Sequence, residues 1–185
     1  MKTEAKTDQL SARDWLDQGL KTLTESGFTA LKAEPLAKAM GVSRGSFYWH
    51  FADVGAFHAA LLKRWREIMT EQIIANLEQS AGGADRINVL LRQAFGGRLT
   101  LEVAVRTWAT LDPAARAAVQ AIDKRRLSYI EGLLIASGLS REIARARAQI
   151  LYWAFLGFTL SEKSLPKPRQ AEALDELIRI ANAPA

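Results

Sequence analysis

Apolar residues make up 49% of the 185-residue chain and charged residues 24%, which are ordinary values for a globular protein with one or two domains. The absence of cysteine excludes disulfide bonds, thiolate metal sites and cysteine nucleophiles. The net charge of +5 suits a polyanionic partner, although the seven basic residues among residues 1–60 are balanced by seven acidic ones.

The first predicted helix runs from a cap at Ser11 to Gly27. Ser11 can accept hydrogen bonds from the free backbone amides of the first turn, and Asp14 at the third helical position favours the positive amino end of the helix. The residues that recur at helical spacing along its inner face are Trp15, Leu16, Gly19, Leu20 and Leu23.

Residues 36–51 predict a tight pair of short helices. Pro35 falls in the first turn of the second helix, and Gly41 stands where a left-handed cap would end that helix. Ser43 can cap the third helix through its hydroxyl. Phe47 and Phe51, four residues apart, are then on the buried side of the third helix.

The exposed side of the third predicted helix is rich in hydrogen-bonding groups. Its residues are Arg44, Ser46, Tyr48, Trp49 and His50. Such groups contact phosphates and base edges, so the pattern favours a recognition helix for DNA. The alternative is that Tyr48 and Trp49 pack inside a small three-helix unit. Phe47 and Phe51 already occupy the core-facing positions, and this favours the first interpretation.

The remaining residues predict further helices. Asp53 can cap a long fourth helix, whose apolar residues recur every three or four positions up to Gly82-Gly83. The later predicted helices cover residues 87–95, 99–110, 113–138, 140–160 and 171–181. No segment alternates as a strand does. The predicted fold class is therefore all-α.

The run GVSRGSFYWHF, residues 41–51, resembles the signature of the TetR family of bacterial repressors. The resemblance implies an amino-terminal three-helix DNA-binding domain over residues 1–55, with its helix-turn-helix at about 32–51. It also implies that a long fourth helix joins this domain to a helical effector-binding and dimerisation domain over residues 56–185.

The resemblance also implies which residues contact DNA. Tyr48 and His50 would touch backbone phosphates, and Trp49 would lie against sugar or phosphate. Val54 departs from the family pattern, which usually has Lys or Arg there, and Glu34 would repel a nearby phosphate. The full predicted DNA-binding set is Lys32, Lys38, Ser43, Arg44, Gly45, Ser46, Tyr48, Trp49 and His50.

The carboxy-terminal two thirds would hold an effector cavity and a dimer interface. The aromatic residues there can line a cavity or simply form core. Our predicted lining residues are Trp65, Arg106, Trp108 and Tyr129. The apolar run Ile150–Leu160 is either central to its own domain or half of a two-fold interface. The predicted interface residues are Ile150, Trp153, Leu156, Leu174, Leu177 and Ile178.

The sequence therefore predicts a homodimeric transcriptional regulator, expected to be a repressor that leaves a palindromic operator when a small-molecule effector binds. The alternative is a TetR-fold protein with weakened DNA binding that acts through protein partners. We find no catalytic motif and no sign of a cofactor, and His50 and His58 lack a third metal ligand. The polar amino terminus and the shortness of the apolar run predict a cytoplasmic protein without a membrane span.

Overall fold

The computed structural model describes residues 10–80, 85–97, 99–161 and 165–184, and every regular element among them is helical. The all-α prediction is confirmed. The chain divides into two compact units, one ending at Trp65 and the other beginning at Arg66. In chain order the helices are α1 (Ala12–Ser26), α2 (Ala33–Ala39), α3 (Arg44–Tyr48), α4 (Val54–Arg66), α5 (Gln72–Ser80), α6 (Arg86–Gly96), α7 (Thr100–Leu111), α8 (Pro113–Ala136), α9 (Arg141–Leu160) and α10 (Lys167–Asn182).

The amino end of α1 has the predicted cap. The amide of Asp14 donates to Ser11 Oγ at 3.3 Å, and the Ser11 amide donates to Asp14 Oδ2 at 2.7 Å. This reciprocal pair satisfies two backbone donors that would otherwise lack partners. The hydrogen bonds from Ser11 also lower the pKa of the Asp14 carboxyl.

The turn between α2 and α3 explains their close pairing. Gly41 has φ of 68°, a left-handed conformation that glycine adopts without strain. The amide of Val42 donates to Ala37 O at 3.0 Å, and that of Gly41 donates to Lys38 O at 3.2 Å. These two bonds form a Schellman cap, which confirms the predicted stop.

Ser43 occupies the cap position of α3, but its hydroxyl makes no capping hydrogen bond. This corrects the predicted role of the side chain. The backbone carbonyl of Ser43 instead accepts from the Ser46 amide at 3.0 Å, so the first turn of this short helix is held by the main chain alone.

An aromatic cluster forms the core of the first unit. Phe47 from α3 is fully buried, and its ring centroid lies 5.3 Å from those of Trp15, Phe51 and Phe57. The pairs with Trp15 and Phe57 are edge-to-face, an arrangement that adds to the stabilisation from burial. Gly19 of α1 lets α4 approach closely, since an added Cβ would lie 2.6 Å from Phe57 Cζ. The cluster therefore anchors α3 against α1 and α4.

The predicted fourth helix is interrupted. Asp53 caps α4 through a 2.7 Å bond from the Ala56 amide to Oδ1, as predicted. The stretch Glu67–Glu71 is a π turn, and α5 follows it. Gly82-Gly83, predicted to end the helix, lie outside the described residues.

Helices α6, α8, α9 and α10 enclose the main core of the second unit. Asp112 and Ser140 cap α8 and α9 through their side chains. The core residues are Ile87, Leu91, Ile130, Leu133, Leu134, Ala144, Ala148, Leu151, Tyr152 and Ala181. Arg147 of α9 donates to the carbonyls of Ala181 and Ala183 at 3.2 and 2.6 Å, which ties the end of α10 to this core.

Helices of the length and apolarity that a bilayer crossing requires are absent from the described ranges.

Candidate nucleic-acid interface and cavity

The predicted recognition helix presents a polar and aromatic surface. Trp49 is 82% exposed and Tyr48 is 42% exposed. Arg44 is also exposed, while Ser46 and His50 are partly covered. Since Phe47 of the same helix is fully buried, the aromatic core fixes the direction in which these groups face.

Arg44 and Tyr48 form a pair on that surface. Arg44 Nη2 donates to the Tyr48 hydroxyl at 3.2 Å, and the guanidinium carbon lies 5.6 Å from the Tyr48 ring centroid. The hydrogen bond to Tyr48 raises the pKa of Arg44, and the negative charge of Glu34 adds to the effect. A planar guanidinium held in this way can approach guanine or a phosphate in a defined orientation.

The other predicted DNA contacts lie around α2 and α3. Lys32 and Lys38 are exposed on α2 and its amino end, and Ser43 and Gly45 are exposed at the start of α3. Val54, where a basic residue was expected, is partly buried at the first position of α4. Glu34 is exposed on α2. The surface thus carries both the predicted donors and the two unfavourable departures.

The second unit contains a cavity of about 290 Å³. It is bordered by the π turn and by residues of α5, α6, α8 and α9. The lining residues are Met69, Thr70, Ile73, Ile74, Leu90, Leu91, Gln93, Ala94, Phe95, Gly97, Leu99, Arg126, Tyr129, Ile130, Leu151, Tyr152 and Phe155. Most of them are apolar, as is usual for a small-molecule site.

Of the predicted lining residues, Tyr129 borders the cavity, and Trp65, Trp108 and Arg106 do not. Trp65 and Trp108 are fully buried side chains that fill core instead. Arg106 contacts the cavity wall through its 3.1 Å hydrogen bond to the Tyr152 hydroxyl. The residue type alone could not distinguish residues of the cavity wall from residues of the packed core, because both sets include aromatic side chains.

A buried network of charges lies behind the cavity wall. The carboxylate of Glu102 is fully buried and accepts from both terminal nitrogens of Arg126 at 2.9 and 3.0 Å. It also accepts from Arg106 Nε at 2.9 Å. Arg106 in turn donates to Asp123 at 2.6 Å. Two guanidinium groups thus face two carboxylates, which is the pairing that buried charges require.

Arg126 is the member of the network that borders the cavity. Its Nε donates to Thr70 Oγ1 at 3.0 Å, and its Nη2 also donates to Met69 O at 3.1 Å. The guanidinium carbon lies 5.7 Å from the Phe155 ring centroid. Met69 and Thr70 belong to the π turn, so Arg126 binds the backbone where the α-helical pattern is broken.

The network perturbs its titratable groups. Burial raises the pKa of Tyr152 to about 12, and its hydroxyl donates to Asp123 Oδ1 at 2.6 Å. Burial opposes the charge of Arg106 and Arg126, but the carboxylates raise the pKa of both guanidinium groups above the ordinary value. Both guanidinium groups therefore remain charged near neutral pH.

The residues predicted to form a dimer interface fall into two groups. Ile150 and Trp153 are exposed, by 49% and 63%. Leu156, Leu174, Leu177 and Ile178 are partly buried and pack against the core of the second unit. The exposed residues of α9 that form a stripe at helical spacing are Ala146, Ile150, Trp153, Gly157 and Leu160.

Groups of three or more side chains able to hold a metal ion are absent from the described part of the chain. A helix-turn-helix with a polar exposed face, in one chain with a helical unit around an apolar cavity, defines a DNA-binding regulator with a ligand-binding domain. Residues 16–53 match the family model "Bacterial regulatory proteins, tetR family". The chain belongs to the TetR family of transcriptional regulators, a non-enzymatic family.

Solved structures share this fold. The reduced form of NemR from E. coli is 25% identical with a TM-score of 0.77, covering 95% of this chain and 100% of that one. A TetR/AcrR regulator from Thermobifida fusca is 15% identical with a TM-score of 0.63, covering 94% and 98%. A regulator from Saccharomonospora viridis in complex with choline is 15% identical with a TM-score of 0.71, covering 91% and 95%. No curated protein sequence matches the chain.

Proposed function

We propose that this regulator is a repressor that binds a palindromic operator as a homodimer and leaves it when a small molecule occupies the cavity. Residues 1–55 would carry DNA binding, and residues 56–185 effector binding and dimerisation. The observation that carries the proposal is the exposed face of α3, whose direction is fixed by the buried Phe47.

DNA binding would combine base reading with phosphate contacts. Arg44 would read a guanine edge, and the exposed Lys32 and Lys38 would neutralise phosphates at the same surface. Tyr48, Trp49 and His50 would contact the sugar-phosphate backbone. With one α3 from each protomer, the half-sites would lie about 34–36 Å apart or a multiple of that.

The apolar stripe on α9 supports a homodimer. Ile150, Trp153 and Leu160 are all exposed large apolar side chains, and Gly157 leaves room for a close approach of a second helix. A two-fold interface would bury the same stripe from each protomer. We expect Trp153→Glu to give a monomer by light scattering after size exclusion. Leu111→Glu is the matched control, since Leu111 is 69% exposed but lies on α7.

Release by an effector requires that the ligand favour one of two protein states. The cavity wall includes Met69 and Thr70 of the π turn, and this turn continues directly from α4 along the chain. A ligand that disturbs the bonds of Arg126 to these residues would alter the π turn, a type of element that often marks functional sites. We infer that this turn couples the effector to α4.

The decisive experiment selects binding sites from random duplexes and titrates the best site at several salt concentrations. We expect a palindrome and a steep salt dependence, with a log–log slope of roughly 0.9 per phosphate contact. Arg44→Ala and Tyr48→Ala should each abolish the selection, while Arg92→Ala, an exposed arginine of α6, should not. Unchanged operator binding in the two α3 variants would refute the proposed interface.

One observation favours a second candidate, a TetR-fold protein that acts through protein partners. Glu34 lies close enough to Arg44 to influence its ionisation, and Val54 supplies no charge at the start of α4. Both features weaken the attraction for phosphate. Failure to enrich any duplex, or a flat salt dependence, would support this candidate.

A further inference from the structure

The geometry of the cavity assigns it a ligand class: we propose that it accepts uncharged, largely apolar molecules of about two fused rings and rejects both anions and cations. This inference rests on the proposed effector site but concerns its selectivity alone. It is carried by the size of the cavity, by the pairing of every charge at its wall, and by one neutral polar side chain at its edge.

The volume of the cavity limits the size of the ligand. An apolar cavity of roughly 150 Å³ holds one benzene ring, and this cavity measures about 290 Å³. Phe95, Phe155 and Tyr152 offer ring faces and edges to an aromatic guest, and the aliphatic side chains of α5 and α6 cover other parts of the wall. A bicyclic aromatic molecule fits both the volume and the lining.

An anion finds no free positive charge in the cavity. Arg126 is the one charged residue among the described lining residues, and Glu102 already binds both of its terminal nitrogens. A ligand carboxylate could pair with Arg126 only by displacing Glu102. Glu102 is fully buried, so its carboxylate would lose a partner without gaining water.

A cation is disfavoured for the complementary reason. Glu102 and Asp123 are held by Arg106 and Arg126 and do not line the cavity. Glu78, which accepts from the Tyr129 hydroxyl at 2.8 Å, is paired with Arg86 at 3.0 Å. A cationic ligand would therefore lose its hydration, be repelled by the guanidinium of Arg126 and find no carboxylate among the described residues available to pair with it.

Gln93 supplies the polar contact that remains. Its side chain borders the cavity from α6 and makes no hydrogen bond with the described residues. A carboxamide offers both a donor and an acceptor without charge. Because Gln93 is exposed, a neutral hydroxyl or carbonyl at one end of the ligand would replace water on its carboxamide at little cost in desolvation.

Three probes of nearly equal shape test the inference on the unmodified protein without DNA. They are 2-naphthalenemethanol, 2-naphthoate and 2-naphthylmethylammonium, each titrated at pH 7 by calorimetry. We expect the alcohol to bind at least about tenfold more tightly than either ion, because burial of an unpaired charge is costly. Comparable binding of either ion, or no binding of the alcohol, would overturn the inference. Operator selection is measured separately, so either result leaves the test of repression intact.

Two variants test the assigned causes. Glu102→Gln leaves Arg126 without its counter-charge, so the affinity for 2-naphthoate relative to the alcohol should rise at least about tenfold; the exposed Glu172→Gln on α10 should leave the ratio unchanged. Gln93→Leu, at an exposed position that tolerates change, should abolish the preference for 2-naphthalenemethanol over 2-methylnaphthalene. Retention of that preference in Gln93→Leu would contradict the role of Gln93, even if Glu102→Gln fails to fold.

Discussion

The two units of this regulator have interiors of opposite character. Around Phe47, the first unit is filled by aromatic rings whose centroids lie 5.1 to 5.3 Å apart. The second unit surrounds a void and places the buried pair Glu102–Arg126 beside it. A filled apolar core determines one arrangement of its helices, because any shift would open a gap.

The difference between the two interiors is related to the surface that each unit offers for binding. The first unit presents a rigid outer surface, and the contacts beneath α3 fix the direction of Arg44 and Tyr48. The second unit presents an inner surface, the wall of the cavity. Because no side chain of the described residues fills the cavity, the residues of this wall lack packing partners on that side. The charge network supports the wall through hydrogen bonds of defined geometry, at the cost of desolvating four ions.

The largest effect is expected in the filled core. Phe47→Ala removes a fully buried ring with four aromatic neighbours and should lower the free energy of unfolding by about 3–5 kcal/mol. Tyr48→Ala, one residue further along α3 and 42% exposed, should change it by about 0.5 kcal/mol or less. Urea denaturation followed by circular dichroism measures both. Similar losses in the two variants would show that Phe47 does not anchor the helix.

Removal of one partner of the charge network should come next. Arg126→Leu and Glu102→Leu should each cost about 3 kcal/mol, because a buried charge loses its counter-ion. The double variant should cost less than the sum by about 1–3 kcal/mol, since neither charge then remains. Denaturation of all three proteins gives this coupling.

The exposed pair Arg92–Asp175 is the control for that cycle. Its atoms approach to 3.4 Å, with both side chains more than half exposed, so the same double cycle should give a coupling of about 0.5 kcal/mol or less. If the buried and exposed pairs gave equal coupling, the network would have no special role in supporting the cavity wall.

Substitution of two glycines, one in each unit, compares the tightness of packing at these two positions. Gly19→Ala in the first unit would place Cβ 2.6 Å from Phe57 and 2.9 Å from Leu61, so it should destabilise by about 1–3 kcal/mol. Gly132→Ala in α8 meets nothing within 4 Å and should stabilise by about 0.5–1 kcal/mol through helix propensity. Thermal unfolding distinguishes the two signs, and a stabilised Gly19→Ala would contradict the close approach of α1 and α4.

The last expected effect is confined to alkaline solution, where the stability of the charged interior should depend on pH. The pKa of Tyr152 is raised from 10 to about 12, so between these values the native protein keeps a proton that the unfolded chain releases. Stability therefore falls as pH rises through this window, by up to roughly 2.7 kcal/mol for this group. Tyr152→Phe should show a shallower decline between pH 10 and 12 in denaturation at a series of pH values. Parallel curves for the two proteins would contradict the shift.

The helices and the exposed face of α3 could be predicted because local sequence determines them. Ser11, Gly41 and Asp53 mark helix ends through chemistry that acts within a few residues. The spacing of Phe47 and Phe51 identifies the buried side of α3 and of the turn that follows it. The hydroxyl of Ser43 was the exception, because the main chain alone closes the first turn of α3.

The cavity could not be predicted in the same way, because its wall joins residues far apart in the sequence. Arg126 meets Glu102 from 24 positions away and Thr70 from 56. Its position on the apolar side of α8, between Ile122 and Ile130, was the available signal, since a charge there needs a buried partner. The π turn accepts two such distant bonds from Arg126, and it left no mark in the pattern of the fourth helix.

The five tryptophans differ in exposure, so quenching of the intrinsic tryptophan fluorescence can report which surfaces of the protein are covered. Trp15, Trp65 and Trp108 are buried, whereas Trp49 and Trp153 are 82% and 63% exposed. A dissolved quencher such as iodide can therefore collide readily with only two indoles, one on the proposed DNA surface and one on the proposed dimer stripe. Trp153→Phe would leave Trp49 as the accessible emitter, so its shielding from iodide would report operator binding without any attached dye.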